Sequence, residues 1–422
     1  MQATLTLSNS TYRKTILPNG LRVISQSMTG VRSVSLGVWV WAGARFEPAN
    51  KSGIAHFLEH MVFKGTPSRS AYQIARSIES IGGHLNAFTG KELNCFFASV
   101  LDQHLPVAVE VLGDILMHSH FETEGLKRER KVVIDEIKGL EDTPDDLVNE
   151  VFMSLVWNPH PLSRVVLGDE AAVSSFTRRD VKAYLRRRYC APYMYVTAAG
   201  QVDHEQLVSL IRDQYDFPAA GPTPSPAAPP AMKGHRSVLS RDIAQAYVCY
   251  GGPALSFDDP RKYALFVLNT LLGGGMTSRL FQKIREDAGL AYSIFSDVDF
   301  CVDTGLISVG VGTDAQDVNR VLEMVRHEFE DLRHHPLGED ELQDAKSQLT
   351  GGLLLSLEGS THIMNRLARF ELYMDHYVSV EETIAGIESV TAHDVLTLAD
   401  ELLAPERQSL AIIGPVDAND IV

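Results

Sequence analysis

His56, Glu59 and His60, in the segment GIAHFLEHMVFKG, place two imidazoles and a carboxylate close together in the chain. On a helix, residues three or four apart share a face, so both imidazoles can reach one metal ion with Glu59 on the same side. Their neighbours Ile54, Phe57, Leu58, Met61 and Val62 are apolar, which lodges the polar stripe in a largely buried element. Buried polar groups need partners, and a metal ion supplies one. A hydrolytic metal centre takes three protein ligands and keeps a position for water, so a further ligand must come from elsewhere. The helical stretch EGLKRERKVVIDEIKGLED offers Glu129 and Glu136, two turns apart and offset by only about 20°. Spacing alone leaves that choice open, with Glu124, Glu141 and Asp142 also in reach.

The elements that must position these groups read as a duplicated pattern. LRVISQSM and SVSLGVWVWAG read as strands, followed by a loop and the apolar helix near Gly53; AQAYVCYGG, a loop and RKYALFVLNTLL repeat that order later. Further strands follow at FFASVL and LISVGVG, with long amphipathic segments at 127–139 and 318–332, and the halves close on MYVTAAG and SLAIIGP. Between them, FPAAGPTPSPAAPP has the composition of a linker. The expected fold is α+β: two homologous domains, each a mainly antiparallel sheet with helices packed on one face. Residues 1–216 form the metal-binding domain, 217–233 the linker, and 234–422 a second domain that lacks the His-x-x-Glu-His pattern.

Composition narrows the partners. Hydrophobic residues make up 45% and charged residues 22%, as in ordinary globular proteins. The net charge of −16 argues against nucleic acid, whose binding rests on neutralising phosphates, and is compatible with a basic polypeptide partner. No apolar run approaches the roughly 18 residues needed to cross a bilayer, so no membrane partner is expected. The N-terminal residues MQATLTLSNSTYRK show no targeting pattern, giving a cytoplasmic expectation. Cys95, Cys190, Cys249 and Cys301 are far apart in apolar or aromatic contexts and read as reduced thiols.

His56, Glu59 and His60 show the reverse of the more familiar His-Glu-x-x-His zinc-peptidase order. With Glu136 following inside ERKVVIDE, the sequence resembles the pitrilysin and insulinase metallopeptidases, nearest the branch that includes mitochondrial processing peptidase and bacterial relatives of similar length. The resemblance implies zinc held by His56, His60 and Glu136, with Glu129 as a supporting acidic residue. It places Asn86 and Ala87, in IGGHLNAFTGKE, beside bound peptide. It also assigns Arg285 and Tyr292, in GGGMTSRLFQKIREDAGLAYSIFS, to substrate contact.

The expected activity is zinc-dependent endopeptidase cleavage of peptides or unfolded polypeptides bound as an extended strand, with Glu59 as general base for the catalytic water. Tyr292 is expected as a further donor to the scissile carbonyl or the substrate backbone. A homodimer is expected, in which Arg285 of one chain serves the zinc of the other. Asp146 and Glu150, four apart at a helix start, read on spacing alone as a solvated acidic helix face; the resemblance implies instead that they match the acidic pair by which mitochondrial processing peptidase reads an arginine, here two residues before the cut. Two other functions compete: a non-catalytic scaffold or regulatory subunit of a processing peptidase-like heterodimer, and an unrelated metallohydrolase of small molecules or nucleotides.

Overall fold

The computed structural model describes residues 11–220, 226, 229 and 234–421. They form two compact units. The first comprises residues up to Ile137, Arg164–Pro226 and Ser356–Tyr377; the second comprises Lys138–Ser163, Ala227–Leu355 and Val378–Val422.

In the first unit a six-stranded sheet is built from β1 (Tyr12–Ile16), β2 (Arg22–Ser27), β3 (Ser33–Val40), β4 (His84–Thr89), β5 (Asn94–Leu101) and β6 (Met194–Gly200). Its order is β1-β2-β6-β3-β5-β4, and only β2 and β6 pair in parallel. Buried residues fill β3 and β6 almost throughout, whereas β4 alternates between exposed and half-buried positions along its length. That contrast follows from position: β3 and β6 are central, and β4 is an edge strand with one covered face.

The second unit repeats the arrangement with β7 (Arg236–Ser240), β8 (Ala246–Ala254), β9 (Ala291–Phe300), β10 (Gly305–Thr313) and β11 (Ser409–Gly414), in the order β7-β11-β8-β10-β9. Again one pair alone is parallel, here β7 with β11, and the rest are antiparallel. Taken in chain order, β2 to β6 map one for one onto β7 to β11. The duplication expected from the sequence is therefore present in the topology, and the two edge strands, β4 and β9, correspond.

Each sheet carries its main helical layer on one face, as expected. In the first unit that layer includes the helices Ile54–Val62, Leu105–His118 and His204–Gln214. The other face is not bare. The helix Ser360–Met374 lays Ile363, Met364, Leu367, Ala368 and Leu372 against Ile24, Trp39, Cys95, Tyr195 and Ala199. In the second unit the helix Pro144–Trp157 does the same with Val148, Phe152 and Val156 against Cys249, Leu306, Ala411 and Ile413. Each covering helix comes from the other half of the chain, so the units are not the contiguous stretches 1–216 and 234–422. The physical reason is that central strands apolar on both sides need both faces covered, each large side chain so buried contributing about 1.5–3 kcal/mol.

Of the linker 217–233, residues 221–225, 227–228 and 230–233 lie outside the described residues. None of the four cysteines forms a disulfide; Cys95, Cys190 and Cys249 are buried and Cys301 is half-buried. Among the described residues no helix is long and apolar enough to cross a membrane.

Candidate metal centre

The helix Ile54–Val62 starts at Gly53, whose φ of 86° lies in the left-handed region, and a Cβ there would sit 2.5 Å from the Leu167 carbonyl oxygen. Only glycine fits, and glycine brings no capping side chain. Glu47 supplies the cap from outside: its carboxylate accepts the backbone N–H groups of Gly53 and Ala55, both at 2.8 Å. Burial pushes the Glu47 carboxyl up to about 7, while those two N–H donors, Arg164 and Lys91 pull the other way. With Ile54, Phe57, Leu58, Met61 and Val62 buried in the core, the stripe His56, Glu59 and His60 is left half-buried on the remaining face.

The helix Thr123–Glu141 meets this stripe with two carboxylates that bracket one imidazole. Glu136 Oε2 lies 3.7 Å from His56 Nε2 and 3.6 Å from His60 Nε2. On the opposite edge of the His60 ring, Nδ1 lies 3.3 Å from Glu129 Oε2. Glu129 is itself buried and paired through Oε1 with Lys64 Nζ at 2.9 Å. His56 Nε2, His60 Nε2 and Glu136 Oε2 are the atoms left facing one another, and among the described residues these three side chains are the group able to hold a metal ion. Glu124, an alternative on spacing, instead pairs on the surface with Lys127.

The set fits zinc on its own geometry. Glu136 Oε2 is a buried oxygen without a hydrogen-bond partner, and 3.6–3.7 Å is too long for a hydrogen bond to either ring. Two ligand atoms about 2.0–2.2 Å from a tetrahedral ion stand roughly 3.3–3.5 Å apart, close to what is seen. Electrostatics agree. Burial, helped by His60, drives His56 down to about 4, so its imidazole is neutral near pH 7. His60 is pushed the other way: burial lowers it, but the Glu129 hydrogen bond and the charges of Glu136 and Glu59 outweigh burial. A group that favours positive charge beside a neutral imidazole is one that favours a cation. Glu129 accepting at Nδ1 also fixes the His60 tautomer, leaving Nε2 as the lone-pair nitrogen.

Glu59 is held apart from this group. Thr89, the last residue of β4, donates its hydroxyl to Glu59 Oε2 at 2.5 Å, and Asn94 Nδ2 donates to Thr89 Oγ1 at 2.6 Å. Burial raises the Glu59 carboxyl above its ordinary value, against the Thr89 hydrogen bond and His60.

Asn86 and Ala87 lie on β4, the free edge of the sheet that ends at Thr89. The Ala87 N–H is taken by Asn86 Oδ1 at 2.8 Å, so a strand added here would exchange that partner. In the second unit the structure brings Arg285 and Tyr292 together. Arg285 sits in a π-helical turn, Phe281–Asp287, with its guanidinium 4.6 Å from the Phe281 ring centre and 5.9 Å from that of Tyr292. Tyr292 is 78% exposed at the start of β9. Asp146 is exposed and Glu150 half-buried on the helix Pro144–Trp157, on the side away from Val148, Phe152 and Val156.

Glu47, Lys64, Thr89 and Asn94 escaped the sequence reading. Lys64 follows His60 by four residues, and Thr89 lies inside the segment already singled out for Asn86, three residues after it. Those spacings were available signals, whereas Glu47 and Asn94 act through a cap and a cross-strand pair that spacing does not mark.

Residues 22–170 match the family model described as Insulinase (Peptidase family M16), and 175–349 the one described as Peptidase M16 inactive domain. A protein of Streptomyces coelicolor named an uncharacterized zinc protease is 39% identical, over 96% of this chain and 90% of its own length. A likewise named protein of Bacillus subtilis is 36% identical, over 94% and 97%. Among solved structures, a protease from Helicobacter pylori matches with a TM-score of 0.91 at 21% identity, over 96% of this chain and all of that one. A structure titled peptidase M16 inactive domain, from Pseudomonas fluorescens, matches at 0.90 and 19%, over 96% and 99%. At such identities the solved structures speak for the fold.

Proposed function

This chain belongs to peptidase family M16, the insulinase family, and on that premise we propose that it is a zinc-dependent endopeptidase acting on peptides or unfolded polypeptides. The observation that carries this reading is the buried, partnerless Glu136 Oε2 facing the Nε2 atoms of His56 and His60, with Glu59 held separately by Thr89. His56, His60 and Glu136 would hold the metal. When bound there, zinc supplies Lewis acidity, polarising the scissile carbonyl and making water acidic enough to lose a proton near neutral pH. Glu59 takes that proton on its carboxylate and returns it to the leaving amine. Glu129 keeps His60 in the right tautomer, and β4 offers an edge on which an extended peptide can pair through its backbone.

The second unit contributes no such chemistry. Its helix Lys262–Gly273 stands where the first unit has Ile54–Val62, and its sequence KYALFVLNTLLG contains neither histidine nor glutamate. Arg285 and Tyr292 serve substrate contact in this reading. The test is zinc analysis joined to cleavage of a quenched fluorescent peptide library by the purified chain. Bound zinc with hydrolysis supports the reading; a chain that holds no metal and cleaves nothing is a scaffold, and one that holds metal without cleaving is another hydrolase.

The assembly we propose is a homodimer with substrate residues supplied in trans. Glu59→Gln and Arg285→Ala chains, each inactive alone, are expected to regain activity when mixed, because a mixed dimer contains one intact Glu59 with the partner's intact arginine. Co-purification of the two variants through different affinity tags shows whether subunits have exchanged; no recovery after exchange would argue for sites complete within one chain.

Asp146 and Glu150 are proposed to read an arginine two residues before the cut. A bidentate guanidinium–carboxylate contact is worth roughly 1.5–3 kcal/mol, about tenfold to a hundredfold in kcat/KM. Lysine lacks the planar fork and should be cleaved more slowly. Rates for peptides with arginine, lysine or norleucine, in wild type and in Asp146→Asn with Glu150→Gln, decide it. If the double variant keeps the full arginine preference, the pair is only a solvated helix face.

A further inference from the structure

We propose that Thr89 and Asn94 are positioning residues that orient the Glu59 carboxylate and lock it to the edge strand β4. This inference rests on the endopeptidase reading above. The two residues are direct cross-strand partners in the β4–β5 ladder, and Asn94 is wholly buried. Its Nδ2 faces two oxygens, Thr89 Oγ1 at 2.6 Å and the Ala55 carbonyl at 3.4 Å. The Ala55 carbonyl can only accept, so the amide must present its nitrogen on this side. The Thr89 hydroxyl oxygen therefore accepts a hydrogen bond from the Asn94 amide and has its own O–H left to donate to one partner, Glu59 Oε2.

Two consequences follow. One carboxylate oxygen of Glu59 is committed to Thr89, so proton transfer during peptide hydrolysis falls to Oε1. The base is also fixed to the last residue of the strand on which substrate pairs, while Asn94 ties that strand to the site helix one turn before Glu59. Docking on β4 and placement of the base are thus one mechanical unit, and loss of the hydroxyl releases the base without removing any group from the metal cluster.

Thr89→Val keeps the shape and deletes the hydroxyl. Using the best-cleaved library peptide, kcat should fall about tenfold to a hundredfold, the scale of a base displaced by about an ångström, with KM and zinc content unchanged. Thr89→Ser should return most of the loss. Asn94→Asp, which offers the hydroxyl a competing acceptor, should lower kcat as Thr89→Val does. Wild-type kcat in Thr89→Val, or a serine variant no better than valine, overturns the proposal. A second readout is free of turnover: in crystals of the metal-free Thr89→Val chain, Glu59 should leave the rotamer it holds in wild type, and an unmoved Glu59 overturns the proposal equally. Should the wild type cleave no peptide, the endopeptidase reading fails and the crystallographic comparison alone decides the positioning role.

Discussion

Glu59→Gln is expected to lower kcat for peptide hydrolysis by about a hundredfold to ten-thousandfold, the range of a lost general base, while zinc content stays at the wild-type level. Glutamine has the same shape, and its Oε1 can still accept the Thr89 hydroxyl, so the helix Ile54–Val62 and its packing are undisturbed. What disappears is a carboxylate able to take a proton. Glu59 lies outside the group formed by His56, His60 and Glu136, so occupancy has no reason to change. Metal analysis and steady-state kinetics on one preparation check both halves of the expectation. Normal turnover would remove Glu59 from the mechanism, and loss of zinc would make it a ligand.

The reach of the sequence in this molecule follows from the range of each interaction. His56, Glu59 and His60 were legible because a helix converts spacing into a shared face, and the apolar residues between them said which face was buried. Glu129 and Glu136 were legible as a pair on one face. Their division of labour, Glu129 on Nδ1 of His60 and Glu136 toward Nε2, depends on where one helix meets another and has no sequence period. The strands at 22–27, 33–40, 94–101 and 194–200 stood out as apolar runs. The helices Pro144–Trp157 and Ser360–Met374 illustrate the limit. Val148, Phe152 and Val156 recur every four residues and announce an apolar stripe, but nothing local states that the stripe belongs on a sheet built from the other half of the chain. A proline-rich stretch between two similar halves invites a cut there, and the cut misses both crossings.

Metal binding should register as stability, and that separates ligands from supporters. Zinc that binds the folded chain and not the unfolded one adds about 2.7 kcal/mol when free zinc is a hundred times Kd. At about 2–4 °C per kcal/mol for a unit of this size, metal-stripped wild type should melt several degrees higher once zinc is restored. Glu136→Gln removes the anionic ligand and leaves two imidazoles, so at the same zinc concentration the shift should vanish and zinc should wash out on dialysis. Glu129→Gln is expected to do less. Its amide oxygen can still accept from His60 Nδ1, but the charge that opposes Lys64 and strengthens His60 as a donor to metal is gone. Changes of that kind cost about tenfold to a hundredfold in metal affinity, so the melting shift should return at proportionally higher zinc. Titrating zinc against a chelator while following Tm in the three proteins gives the order directly: wild type, then Glu129→Gln, then Glu136→Gln. Equal affinity in Glu136→Gln and wild type would remove Glu136 from the ligand set, and a Glu129→Gln chain as metal-free as Glu136→Gln would move Glu129 into it.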